Sequence, residues 1–332
     1  MAPPSAFPAF IVVSALDARL AFTGHRHHGS MSPLIIGHRG APAYLPEHTE
    51  SSYRLAIRQG ADLVEPDVVP TRDGVLLVRH EPQLASTTDI AEHPEFADRR
   101  RDTDWFAEDF TWAELQRLRA VERIPQLRLT SAAHSGEEVI LRLRDLVRIV
   151  AEESEVCGRH CGLVIELKHD ARCLTLGFDF VDLLAQELDG LWHLESLRDL
   201  RIESFEASAL DRLREAGFPG TRILLVAAAE EVLPGEEGPE RLTAAGLDDA
   251  AKRFDGISVR ASLLDAPLVT AAHARGLEVF TYTLRAEDEF LPPAYLGRPE
   301  DYWRAIIATG VDGVFADAPD RVRALLERED RV

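Results

Sequence analysis

Seven polar residues, two histidines, three carboxylates, one lysine and one arginine, stand near the ends of short apolar runs. Gly37-His38-Arg39-Gly40 follows the run Leu34–Ile36. The flanking glycines allow a sharp turn and close backbone approach. A histidine there titrates near working pH and is a general acid/base candidate. Glu65-Pro66-Asp67 lies in the second run, and residues two apart on a strand share a face. Two carboxylates side by side are costly unless a cation or proton joins them. Glu166 and Lys168 repeat that spacing in the third run. Three carboxylates at one mouth make an oxygen-rich site for Mg²⁺ or Ca²⁺. The competing reading is a buried Glu166–Lys168 ion pair with no metal. His80 follows the turn Arg72-Asp73-Gly74. With Asp73 and Gly74 as a two-residue loop, Val69 faces Val78 and Asp67 faces His80, which returns the second histidine to the carboxylates. A cation, Lys168 and the forked Arg39 suit a phosphate. Two histidines suit in-line displacement, one accepting a proton and the other giving one.

These residues need a scaffold that gathers strand ends. From Leu34 on, eight apolar runs recur: Leu34–Ile36, Leu63–Val69, Leu163–Leu167, Arg201–Phe205, Arg222–Ala227, Gly256–Val259, Glu278–Thr283 and Gly313–Phe315. Most are rich in Val, Ile or Leu, as strands buried on both faces are. Helical patterns follow at Thr49–Gln59, Leu143–Glu153, Phe178–Leu188, Ala207–Ala216, Asp301–Ala308 and Pro319–Arg328. The fifth helix is broken in pattern by Pro234-Gly235 and Gly238-Pro239. The expected fold is α/β, a (β/α)₈ TIM barrel of residues 34–332. The polar stretch of about 81–140 is too long for a simple loop. It is expected as a small inserted subdomain over the C-terminal face, able to roof the mouth. Trp105, Phe106, Phe110 and Trp112 would give it a satellite core, and Arg99-Arg100-Arg101 a solvated face.

Composition narrows the function. The net charge of −20 repels nucleic acid and anionic lipid, so neither is an expected partner. No apolar run reaches the roughly 18 residues of a spanning helix. Of 37 basic side chains only Lys168 and Lys252 are lysines. Cys157, Cys161 and Cys173 with His160 lack a standard zinc spacing and read as unbonded thiols. Residues 1–33 read as a poorly ordered arm or a poor signal-like segment. The expected compartment is the cytoplasm, or the periplasm or exterior if that segment is a signal. His48 and the remaining histidines show no acid/base pattern.

The chemical residues also carry a family resemblance. Ile36-Gly37-His38-Arg39-Gly40, Pro46-Glu47-His48-Thr49, Glu65-Pro66-Asp67, Thr71-Arg72-Asp73-Gly74, Val78-Arg79-His80-Glu81 and Ile165-Glu166-Leu167-Lys168 resemble segments of the glycerophosphodiester phosphodiesterases, in family order. So do Glu203-Ser204-Phe205-Glu206, Phe280-Thr281-Tyr282-Thr283 and Gly310–Asp317. The insertion and the Pro-Glu-His-Thr variant look like those of the bacterial type. The resemblance implies one divalent cation, Mg²⁺ or Ca²⁺, on Glu65, Asp67 and Glu166. It implies His38 and His80 as acid/base residues, Arg39 and Lys168 on the phosphate, and Phe205 and Tyr282 lining the substrate. The implied reaction is hydrolysis of a small water-soluble glycerophosphodiester, such as glycerophosphocholine, to glycerol 3-phosphate and an alcohol. Alternatives are another diester (a lysophospholipid, glycerophosphoinositol or a teichoic-acid fragment) or a non-catalytic phosphate-binding barrel. Three positions depart from the common pattern: Glu81 replaces aspartate, Leu84-Ala85-Ser86 replaces Leu-Asp-Arg, and Tyr282 replaces tryptophan. No oligomeric state follows from the sequence.

Overall fold

The structure, a computed structural model, describes residues 32–329. The expected arm falls outside them apart from Ser32 and Pro33. Ten strands form one sheet: β1 (Leu34–His38), β2 (Leu63–Glu65), β3 (Asp67–Pro70), β4 (Leu76–Val78), β5 (Gly162–Leu167), β6 (Leu200–Ser204), β7 (Thr221–Val226), β8 (Gly256–Arg260), β9 (Glu278–Leu284) and β10 (Gly313–Ala316). The parallel pairs run β1–β10–β9–β8–β7–β6–β5, and β2 joins β1 to β5. That closes a (β/α)₈ barrel. The run 63–69 is one barrel position in two pieces. Pro66 has no N–H for the ladder and separates β2 from β3. β4 hangs antiparallel from β3.

Among the described residues, eight helices of eight or more residues pack outside: α1 (Glu50–Arg58), α2 (Leu143–Cys157), α3 (Phe180–Leu188), α4 (Ala207–Glu215), α5 (Ala244–Arg253), α6 (Ala266–His273), α7 (Pro299–Ile307) and α8 (Pro319–Glu329). Their starts are chemically marked. Thr49 caps α1, Thr243 caps α5 and Asp265 caps α6, each accepting from a backbone N–H of the first turn. Gly158 closes α2 in the left-handed conformation, φ 64°. The broken fifth helical pattern resolves into a single turn at Pro239–Leu242 followed by α5.

The barrel interior explains the site above it. Ile36, Leu63, Val164, Ile223, Phe280 and Phe315 form one buried apolar layer inside the strands. Side chains alternate along a strand, so the next inward residues lie two positions on. These are His38, Glu65, Glu166, Leu225, Tyr282 and Asp317. The apolar layer is the floor on which the polar residues stand.

The insertion between β4 and α2 has its own apolar cluster, including Phe96, Trp105, Phe110, Leu115 and Leu118, which reaches the barrel through Val69 and Leu77. Trp105 and Phe110 are buried in it, and Trp112 packs against it. Phe106 is not part of it. The arginine run is a solvated face, with Arg100 and Arg101 exposed, and it also covers aromatic rings. Arg99 lies 5.0 Å from the Phe110 ring, Arg100 5.2 Å from Trp105 and Arg101 4.3 Å from Phe106. Such cation–ring contacts cover the aromatic faces.

Candidate active site

Parallel pairing sets the acidic residues shoulder to shoulder. His38 pairs in register with Glu65, Asp67 with Glu166, and Glu166 with Glu203. Glu65, Asp67 and Glu166 are buried and offer ligand oxygens within 4.8 Å of one another. Glu65 Oε1 and Asp67 Oδ1 have no hydrogen-bond partner. Buried carboxylate oxygens left unsatisfied are costly, and a hard cation would satisfy them. The donor set therefore fits Mg²⁺ or Ca²⁺. The expected ion pair is present beside it: Lys168 Nζ lies 2.6 Å from Glu166 Oε1 and 3.6 Å from Asp67 Oδ1.

The titration directions report this crowding. Burial, then Asp67, Glu203 and Glu166, push Glu65 well above the carboxylate range. Burial and Asp67 push Glu166 up to about 8 against the pull of Lys168. Burial opposes charge on Asp67 too, yet His80, Lys168 and Arg39 hold it well below its ordinary value.

Arg39 stands at φ 57° in the turn after β1, followed by Gly40 at φ 100°. A Cβ on Gly40 would lie 2.5 Å from Ser52 Oγ, so the glycine is required. The turn sends the Arg39 N–H to Glu65 Oε2 at 2.9 Å and its Nε to 3.3 Å from Asp67 Oδ2. His38 Nδ1 lies 2.6 Å from Asp317 Oδ1. Burial and Arg39 lower the His38 pKa to about 4 although Asp317 raises it.

His80 reaches the site by a different register from the one expected. Val68, not Val69, faces Val78, and Thr71 N–H donates to Val75 O. The loop therefore has three residues, with Gly74 at φ 77°, in place of the two-residue turn. Asp67 consequently faces Arg79, whose N–H donates to Asp67 O at 2.9 Å. Strand pairing stops at Val78, so the alternation of faces no longer governs residue 80. The chain turns His80 inward, with Nε2 3.2 Å from Lys168 Nζ and Nδ1 on Glu81. Desolvation, then the charges of Arg39 and Lys168, lower its pKa to about 3.

One cavity of about 690 Å³ is lined by His38, Arg39, Glu65, His80, Glu166, Lys168, Phe205 and Tyr282. All the expected site residues line it except Asp67, which lies buried beneath. The Phe205 and Tyr282 rings meet edge to face at 5.9 Å, and Lys168 Nζ sits 5.6 Å from the Phe205 ring centre. The cavity runs on under the loops after β7, β8 and β9, past Leu233, Arg260 and Phe290. No residue between 82 and 140 lines it. The insertion thus stands beside the cavity and does not roof it, and its Arg123 and Arg128 bind carboxylates on the loops after β1, β4, β9 and β10.

Several neighbours escaped the sequence reading. Glu203 is a fourth buried carboxylate, and its Oε2 has no partner. Asp317 holds His38. Both lie in segments that resemble the family, and both follow from inward alternation. His48 Nε2 lies 3.0 Å from Asp67 Oδ2 while Tyr53 OH lies 2.7 Å from its Nδ1, a supporting place whose one sequence signal is the Pro46-Glu47-His48-Thr49 segment. Arg285 lies 3.2 Å from Asp317 and lines the cavity. Cys157, Cys161 and Cys173 are free thiols, and the carboxylate trio is the metal-ligand grouping found among the described residues. Among those residues no helix is long and apolar enough to cross a membrane.

Comparison with known proteins identifies the family and the fold. Residues 38–321 match the model of the glycerophosphoryl diester phosphodiesterase family. A glycerophosphodiester phosphodiesterase of Arabidopsis thaliana is 30% identical over 320 residues, covering 86% of this chain and 83% of its own. One from Haemophilus influenzae is 25% identical over 329 residues, covering 86% and 88%. A solved structure from Silicibacter pomeroyi shares the fold, with a TM-score of 0.73, 23% identity and coverage of 91% of this chain and 95% of its own. An Oleispira antarctica phosphodiesterase, solved with the product sn-glycerol-3-phosphate, has a TM-score of 0.65 at 21% identity, covering 89% and 97%. The chain belongs to the glycerophosphoryl diester phosphodiesterase family and is a phosphoric diester hydrolase.

Proposed function

We propose that the enzyme hydrolyses small water-soluble glycerophosphodiesters, such as glycerophosphocholine, to glycerol 3-phosphate and the free alcohol. The observation that carries this reading is the convergence of His38, His80, Arg39 and Lys168 on the cavity above the three carboxylates. Glu65, Asp67 and Glu166 would hold one divalent cation, Mg²⁺ or Ca²⁺. When bound, it supplies charge neutralisation and orientation of the phosphate.

The protein residues do the rest. Arg39 and Lys168 hold the non-bridging phosphate oxygens in place. Phe205 and Tyr282 wall the cavity and exclude water from one side of the substrate. One histidine takes a proton from the attacking water as its oxygen bonds to phosphorus. The other gives a proton to the alcohol oxygen as its bond to phosphorus breaks. Each ring is held at Nδ1 by a carboxylate, which makes Nε2 the nitrogen for proton transfer, and in His80 that nitrogen exchanges its contact with Lys168 Nζ for the substrate. The three free thiols favour a reducing compartment, the cytoplasm. The test is release of glycerol 3-phosphate from glycerophosphocholine by the purified chain. No release with either Mg²⁺ or Ca²⁺ present would refute the reading.

A further inference from the structure

The insertion contributes two arginines whose contacts lead back to the catalytic cavity, although neither lines it. Arg123 forks Glu81, with Nη1 and Nη2 each 2.7 Å from a carboxylate oxygen. It also forks Glu47, with Nη2 at 2.6 Å and Nε at 3.0 Å. Arg128 places Nε 2.6 Å from Glu287 and Nη2 on Asp317. Glu81 bonds Nδ1 of His80, and Asp317 bonds Nδ1 of His38. Two relays therefore share one order: an arginine of the insertion, a carboxylate of the barrel, and a histidine.

We propose that Arg123 and Arg128 are positioning residues, and that the insertion braces both histidines through them. The proposal rests on the reading of His38 and His80 as the acid/base pair. A carboxylate on Nδ1 selects the tautomer and aims Nε2. That carboxylate is itself free to turn unless something fixes its plane. At Glu81 the forked Arg123 guanidinium does so through two parallel charge-assisted bonds, and at Asp317 Arg128 does so with one such bond while its Nε is tied to Glu287. The Arg128 side chain is 6% exposed, and there a carboxylate without its cation would be strongly disfavoured. Asp317 has a second arginine in Arg285. Among the described contacts Glu81 has Arg123 alone. Glu47 extends the same brace to Arg39, 3.3 Å away. The plain competing account is that these ion pairs only dock the insertion on the barrel.

The experiment uses the full chain with Arg123→Met and Arg128→Met, which keep the stem and remove the fork. ¹⁵N NMR of the imidazole nitrogens reads each histidine directly, with signals assigned from His38→Ala and His80→Ala. Arg128→Met should move the His38 signals and leave those of His80. Arg123→Met should do the reverse. Each should lower kcat by about 10²-fold, the cost of a small misplacement at a distance, with a smaller change in KM. Arg→Lys variants should recover part of the loss and carry the same test if a methionine variant does not fold. The proposal is overturned if the signals stay put, or if each variant moves both histidines alike, as general loosening of the insertion would. Failure of the acid/base reading is recognised separately, by full activity of His38→Ala or His80→Ala.

Discussion

His38 and Asp317 join the first strand of the barrel to the end of the last, with Nδ1 2.6 Å from Oδ1. The bond is possible because β1 and β10 are neighbours in the closed sheet, in register from Leu34↔Gly313 to Gly37↔Ala316. Burial would raise the Asp317 pKa, but Arg128, Arg285 and His38 hold it well below the carboxylate range. The histidine is thus oriented by a group that stays ionised. The same arrangement recurs at His80 and Glu81.

If both histidines move protons, His38→Ala and His80→Ala should each lower turnover by about 10²–10⁴-fold. The double variant should lose less than the product of the two, since residues acting in one step are not additive. Initial rates on glycerophosphocholine check this. Near wild-type turnover in either single variant would remove that residue from the mechanism.

The lowered His38 pKa has a consequence for stability. Burial and Arg39 take it from 6.5 to about 4, so the unfolded chain binds the proton first as pH falls. Its contribution is present above about 6.5 and is lost as pH falls toward about 4. Urea midpoints in EDTA should therefore drop from pH 7 to pH 5 by more in the wild type than in His38→Asn. Equal drops would show that His38 is not held neutral.

Phe110 tests the insertion core. It is fully buried, with Phe96 edge to face at 5.1 Å and Arg99 above it. Phe110→Ala should cost about 3–5 kcal/mol by cavity formation. Because the cavity wall contains no insertion residue from 82 on, KM should move less than stability. Denaturant unfolding beside steady-state kinetics separates the two. A stability unchanged within error would contradict the packing.

The proposed metal ligands can be tested without turnover. Glu65→Gln, Asp67→Asn and Glu166→Gln keep shape and remove charge, so each should weaken Mg²⁺ or Ca²⁺ binding in calorimetric titration of EDTA-stripped protein. Unchanged affinity in all three would place the cation elsewhere.

Much of this site is legible in the sequence because it obeys local rules. The Gly37–Gly40 turn, the Glu65/Asp67 spacing and the Glu166/Lys168 spacing are each set within a few residues. The hairpin shows where local rules run out. Asp73-Gly74 suits a two-residue turn, but Gly74 instead takes the left-handed third position of a longer loop, and every pairing shifts by one. His80 arrives only because the ladder ends before it. Asp317, Glu203 and Arg128 depend on which strands close the barrel and on where the insertion leans. Asp317 could be placed by carrying the inward alternation two residues past the apolar floor, and Glu203 by its parallel register with Glu166. Arg128 has no such signal among 35 arginines.

The most direct test of the account is hydrolysis of glycerophosphocholine by the EDTA-stripped enzyme, before and after adding Mg²⁺ or Ca²⁺, with glycerol 3-phosphate and choline both quantified. The account predicts negligible turnover without the cation, recovery with one of the two, and equal amounts of both products. Full turnover in excess EDTA, or phosphocholine and glycerol as the products, would contradict it.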